Sequence, residues 1–296
     1  MLVVGEGLVD VVHTADGAVV ERPGGSAANV AVALARLDRP VRFATAFADD
    51  AYGALLADHL ATAGVVLAGD PHVVGRSSSA AATIAPDGSA SYVFDLDWRL
   101  GEVPLEPAPR AVHVCSLGAV VAPGAAAVRA LVQDLRETAT VTYDVNARPS
   151  ITGTGPEVVA TVEALVALAD VVKVSDEDIE VLWPDLAVDE AAQRLAGLGP
   201  RAVVVTRGGA GATWVETGRR VDVASRPVVV ADTIGAGDTF AAALVDGLWE
   251  HGLLGGRLPE LPDEVVTALL AHAARAAAVT VSRPGADPPY RLELEA

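Results

Sequence analysis

The chain has 296 residues, 51% of them hydrophobic and 20% charged, with 28 Gly, 18 Pro and one Cys. That length and apolar share fill a large core and exclude a mainly disordered chain; one large domain over 1–296, or a main domain with a small addition, is the expected organisation. The 21 Lys and Arg stand against 39 Asp and Glu, a net charge of −18, so nucleic acid and anionic membrane are repelled and neither is an expected partner.

Lone Cys115 cannot form an intramolecular disulfide or a multi-cysteine zinc site, as suits a reducing cytoplasm. Glu6 and Asp10 interrupt the opening MLVVGEGLVD, which therefore does not read as a signal peptide; a cytoplasmic location is expected. Lys173 is the only lysine, so any lysine chemistry must use it.

In chain order, a short apolar strand (Leu2 to Val4) is followed by a helix over Ser26 to Leu37, with Val30, Ala33, Leu34 and Leu37 at helical spacing. A strand (Val41 to Thr45) and a helix (Tyr52 to Ala63, stopped by Gly64) come next. From Ala111 the pattern alternates: strand Val112 to Cys115, helix Ala125 to Glu137, strand Val141 to Tyr143, helix Glu157 to Leu168 and strand Val171 to Val174. Helix Leu186 to Ala196 and strand Ala202 to Thr206 complete it. Short all-apolar strands between amphipathic helices predict a parallel sheet covered on both faces. Two stretches break this rhythm. Val11 to Val20 reads as a hairpin around Asp16-Gly17, and Ala80 to Asp97 as another around Asp87-Gly88; together they predict a small separate antiparallel sheet.

The most informative segment is DTIGAGDTF, Asp232 to Phe240, with helical spacing of Ala242, Val245 and Trp249 behind it. Gly235 and Gly237 leave the backbone bare where a helix start points unpaired amides outward, which makes an anion seat. For a lone G-x-G-D, a capped helix after a glycine turn is the better explanation; the full nine-residue string with a helix behind it reverses that and favours the seat, with Asp238 beside it.

DTIGAGDTF resembles the C-terminal signature of the ribokinase-like (PfkB) carbohydrate kinases. PGGSAANVAVALARL (Pro23 to Leu37) and FADDAYG (Phe47 to Gly53) resemble the N-terminal signature. GEGLVD, YDVNARPS, KVSDED and VTRGGAG also match, in family order over nearly the whole chain. The resemblance implies a three-layer α/β/α sandwich around a mostly parallel sheet, with a small antiparallel β lid from segments 11–20 and 80–98.

It implies Asp238 as the base that deprotonates the acceptor hydroxyl, Gly235, Ala236 and Gly237 as the anion hole, and Arg148 as a charge on the transferring group. Asp10, Gly24, Gly25 and Asn29, with Asp238, would line the sugar pocket; a carboxylate such as Asp10 can accept from two hydroxyls at once. ATP would meet Lys173, Ser175, Thr206, Gly208, Gly211, Gly235, Gly237 and His272. Asp178 would order water around Mg2+, and Asp232 with the Ile234 carbonyl would hold a monovalent cation such as K+. Relatives often carry Asn and Glu where this chain has Ser175 and Asp178. Phe94, Asp95, Asp97, Trp98 and Arg99 are the expected determinants of the acceptor, and the lid a route to a homodimer.

The implied activity is ATP-dependent phosphorylation of a primary sugar hydroxyl, fructose to fructose 6-phosphate. The alternatives are 2-keto-3-deoxygluconate kinase, ribokinase or nucleoside kinase, and a non-catalytic sugar- or nucleotide-binding protein. The sequence has no G-x-S-x-G elbow, H-E-x-x-H pair or G-x-x-x-x-G-K-[ST] loop, and no G-x-G-x-x-G follows the first strand. Hydrolase, zinc-enzyme and dinucleotide-binding readings therefore fare poorly.

Overall fold

A computed structural model describes residues 1–13, 18–84 and 90–295; the turns expected at Asp16-Gly17 and Asp87-Gly88 fall outside them. The described strands are β1 (Leu2–Val4), β2 (Leu8–His13), β3 (Val19–Gly24), β4 (Arg42–Ala44), β5 (Val66–Leu67), β6 (Ser79–Ile84) and β7 (Ala90–Asp95). They continue with β8 (Ala111–Cys115), β9 (Thr140–Asp144), β10 (Val171–Ser175), β11 (Ala202–Thr206), β12 (Ala212–Glu216) and β13 (Arg219–Val223).

Nine strands form one sheet in the order β13-β12-β11-β10-β9-β8-β1-β4-β5, parallel from β5 to β11 and closed by the antiparallel β12–β13 edge. Period-two alternation splits the apolar residues between two cores. Val3, Phe43 and Val204 face helices Ser26–Arg36, Ala236–Glu250 and Asp263–Val281, while Val4, Ala44, Val203 and Val205 face helices Gly124–Leu135, Pro156–Val166 and Val188–Ala196. The expected α/β/α layering is present.

The chain steps from β1 outward to β4 and β5, then returns to β8 on the other side of β1 and proceeds to β11. The direction of winding therefore reverses between β1 and β8, where open α/β sheets leave a crevice beyond the carboxyl ends of their strands.

The second sheet has the order β3-β2-β6-β7. Each hairpin is antiparallel, and the two join through a parallel β2–β6 pair with Asp10 opposite Ala80. The first hairpin is longer than predicted, running from Leu8 to Gly24, because Leu8, Val9 and Val11 are all buried. Asp10 consequently sits in the lid itself and not in a loop after β1. The hairpin β12–β13 and the helix Asp176–Leu182 are further elements, beyond those expected from the sequence.

Candidate active site

Helix Ala236–Glu250 starts at Gly235, whose φ of +74° is left-handed; a Cβ there would lie 2.6 Å from that of Ala286. Among the described residues the amides of Gly237 and Asp238 have no protein acceptor, as the first turn of a helix leaves them. They open on a cleft of about 1030 Å³ that runs from the lid to helix Asp263–Val281. The bare backbone of Gly237 also lets Lys173 approach, its Nζ lying 3.3 Å from where a Cβ would be.

Asp238 is 6% exposed yet lines this cleft. Ser26 Oγ donates to its Oδ1 at 2.7 Å, Asn29 Nδ2 to its Oδ2 at 2.8 Å, and Asn146 Nδ2 to Oδ1 at 3.4 Å. Asn146 also donates to Ser26 Oγ at 2.8 Å. Ser116 and Asn146, just past β8 and β9, hold φ of +49° and +36°, left-handed conformations sparsely populated by non-glycine residues, and are tied by a Ser116 Oγ bond to the Asn146 carbonyl. Three donors thus fix the carboxylate's plane.

On the lid side the cleft is lined by Leu8, Asp10, Val12, Ala80, Ala82 and Phe94, with Gly24 and Gly25 below. Burial pushes the Asp10 carboxyl above its ordinary value, against the pull of Arg148. Arg148 lines the same space, its guanidinium bonded to Asn146 Oδ1 at 2.7 Å and to the Ala147 carbonyl at 2.9 Å. Of the five expected lid determinants, Phe94 alone faces the cleft. Asp95 pairs with exposed Arg76; Asp97 accepts from the Gly75 amide and lies 4.0 Å from Arg99. Trp98 is buried against the Gly118 carbonyl as part of the core, a correction that follows from its size and its one donor.

At the other end the cleft meets Ser175, Asp176, Glu177, Asp178, Thr206, Gly208, Gly211, Ser225 and Arg226. Ser175 and Asp178 form a capping box for helix Asp176–Leu182. Ser175 Oγ accepts from the Asp178 amide, and Asp178 Oδ2 accepts from the Ser175 amide, both at 3.0 Å. Asp178 Oδ1 also accepts from the Ala147 amide at 2.8 Å, so both oxygens already carry a backbone bond.

Lys173 is not a free phosphate-binding arm. It is 5% exposed, and its ammonium donates to both oxygens of fully buried Asp144 at 2.9 and 2.8 Å. Burial would lower its pKa, but the Asp144 carboxylate outweighs that and keeps it charged.

His272 does not form an adenine wall. Its Nε2 lies 2.8 Å from Asp246, inside a cluster with Arg39 and Arg291, and the cleft wall on that helix is Ala274, Ala277, Ala278 and Val281. Asp232 accepts from the Ile234 amide at 3.0 Å and the Gly285 amide at 2.8 Å, which holds it below the usual carboxylate range and pins the loop before the helix.

Glu6 and Ser26 are cleft residues that sequence reasoning missed; Asn146 and Asp144, from the Asp144-x-Asn146-x-Arg148 run expected to face the phosphates and the acceptor, are direct partners of Asp238 and Lys173. Among the described residues no cluster of three or more His, Cys, Asp or Glu has the geometry of a metal cage.

The chain is similar to known proteins over most of its length. The chain is 29% identical to a fructokinase of Klebsiella pneumoniae, covering 99% of this chain and 97% of the relative. It is 32% identical to a fructokinase of Rhizobium leguminosarum bv. trifolii, covering 81% and 76%. The crystal structure of a double-mutant fructokinase from Vibrio cholerae O395, bound to fructose, ADP and a potassium ion, superimposes with a TM-score of 0.79 at 25% identity, over 99% of this chain and 96% of that one. The model of the pfkB family carbohydrate kinases matches residues 1–292. With that match over almost its full length, the chain belongs to the PfkB family of carbohydrate kinases and is a sugar phosphotransferase.

Proposed function

We propose that this kinase transfers the γ-phosphoryl group of ATP to a primary hydroxyl of a ketose, fructose to fructose 6-phosphate, with Asp238 as the base. The observation that carries the reading is the pairing of a fixed carboxylate with unpaired amides on one helical turn, in a cleft closed by Asp10 on the lid.

Oδ1 of Asp238 takes two donors and Oδ2 takes one, so Oδ2 is the oxygen open to the acceptor hydroxyl. As Asp238 takes that proton, the hydroxyl oxygen bonds to the γ-phosphorus and the bond to the β–γ bridging oxygen breaks. Charge then spreads over the migrating group, and the amides of Gly237 and Asp238 receive it without reorganising. Lys173, held charged beneath Gly237, adds a positive field at that point. Arg148 faces the same space from the β9 side.

The donor set fits a Mg2+ ion that stays mostly on phosphate and water. Asp178 has outer lone pairs to spare and Glu177 lines the cleft, without a dedicated cage. Bound to the nucleotide, Mg2+ supplies charge neutralisation of the phosphates. The Asp232 carboxylate and Ile234 carbonyl remain the positions for a monovalent cation, on the lone pairs left after the two amide bonds.

A second reading, an acceptor carrying a flat apolar group such as a riboside, is favoured by one feature. The lid face over Asp10 is Val12, Ala80, Ala82 and Phe94, small or apolar side chains that leave width and offer no hydrogen bonds. ADP formation across fructose, 2-keto-3-deoxygluconate, ribose and ribosides, with product identification, separates the two. Saturable turnover of fructose to the 6-phosphate is expected; saturation only by ribosides contradicts the fructose reading.

A further inference from the structure

We propose that Glu6 is a positioning residue for the general base: its carboxylate fixes the helix start that hands Ser26 and Asn29 to Asp238. The proposal rests on the reading of Asp238 as the base.

Glu6 follows β1 at the reversal of the sheet and is 4% exposed. Helix Ser26–Arg36 begins after Gly25, which has no side chain to cap it, and helix Ser116–Val120 begins after Cys115, which also makes no side-chain cap. Glu6 serves both. Its Oε1 accepts from the Ser26 amide at 3.2 Å and its Oε2 from the Gly118 amide at 2.7 Å. One carboxylate therefore closes two helix starts, with its negative charge at the positive end of the longer one.

The surroundings are built for this approach. A Cβ at Gly118 would lie 3.0 Å from Glu6 Oε2, and one at Gly25, where φ is +99°, would lie 2.7 Å from the Glu6 carbonyl. Ser26 then receives its orientation from Glu6 through the backbone and passes it to Asp238 through its hydroxyl. Asn29, one turn along the same helix, follows.

The groups facing Glu6 are Asp238 from helix Ala236–Glu250, Arg148 from the segment after β9 and the buried Cys115 thiol at the end of β8. Burial raises the Glu6 carboxyl to about 7; the Asp238 charge adds to this, while the Gly118 amide and Arg148 oppose it. Protonation at Oε1 would set an O–H against the Ser26 N–H and release that helix start. Turnover is therefore expected to fall on the acid side of neutrality.

The test compares kcat, KM for ATP and the pH profile of kcat in wild type, Glu6→Gln and Glu6→Asp, with Asp238→Asn as control. Glu6→Gln is expected to lose on the order of 10²-fold in kcat, with KM for ATP unchanged and the acid limb near pH 7 abolished. Glu6→Asp keeps the charge but is one methylene too short to reach both amides, so kcat falls and the limb stays. Wild-type kcat in either variant, or an acid limb surviving in Glu6→Gln, overturns the proposal while Asp238→Asn stays inactive. An active Asp238→Asn overturns the base reading instead. If Glu6→Gln does not fold, Glu6→Asp decides alone; loss of ATP-analogue binding along with turnover in both variants shows a purely architectural role and also overturns it.

Discussion

A carboxylate proposed as a base gains orientation with each donor it accepts, and Asp238 accepts from three. Asn29 is the donor on the oxygen assigned to the acceptor hydroxyl, so its removal frees that oxygen to turn. A hydrogen bond to a charged group contributes about 1.5–3 kcal/mol. Asn29→Ala is expected to lower kcat by on the order of 10-fold, measured as ADP release at saturating sugar; an unchanged kcat would contradict the orientation argument. Asp238 and Asn29 were legible because each sits in a recognisable string. Ser26 and Asn146 were not seen as their partners, because contacts spanning 212 and 92 residues leave no local trace. Glu6 lies inside GEGLVD, and a lone acid at the end of an apolar strand was the one signal available: such a residue is buried only if it has partners.

At the scale of the element, the start of helix Ala236–Glu250 works because two glycines stand where side chains would intrude. Gly235→Ala meets both a left-handed φ and the side chain of Ala286, and is expected to cost roughly 1–3 kcal/mol and to raise KM for ATP by displacing the amides. Thermal denaturation and initial rates check both. Beneath that turn, Lys173→Met leaves Asp144 buried without its partner, an expected loss of about 3–5 kcal/mol in urea unfolding; adding Asp144→Asn should recover much of it. The helix boundaries were legible to within a residue or two from spacing alone, as with Ser26–Arg36 and Ala236–Glu250. The capping box was also available in the sequence, since Ser175-x-x-Asp178 is a helix-start pattern; it was read for metal chemistry first. His272 misled because a helical residue near the cleft gives no sign of which face it occupies until Asp246 claims it.

Over the whole molecule, buried charge makes stability depend on pH. The Glu6 carboxyl is raised in the folded state, so its stabilising contribution is complete below its ordinary value of 4.5 and is lost as pH rises through about 7. The stability difference between wild type and Glu6→Gln should therefore fall by on the order of 3 kcal/mol between those limits. Urea unfolding at several pH values measures it, and a constant difference would contradict the burial argument. Asp246 acts oppositely: burial alone would raise its carboxyl, but His272, Arg39 and Arg291 together hold it below the usual range, which supports the fold above that range. The layered architecture was legible because strand and helix periods differ so clearly; the parallel β2–β6 joint of the lid was not, since pairing between separate hairpins is set by packing. The most direct measurement is phosphorus NMR of the protein with ATP, Mg2+ and fructose, in wild type and Asp238→Asn. The account predicts fructose 6-phosphate from wild type and transfer slower by on the order of 10²–10⁴-fold in the variant, with ATP-analogue affinity intact. Equal transfer rates in the two proteins would contradict it.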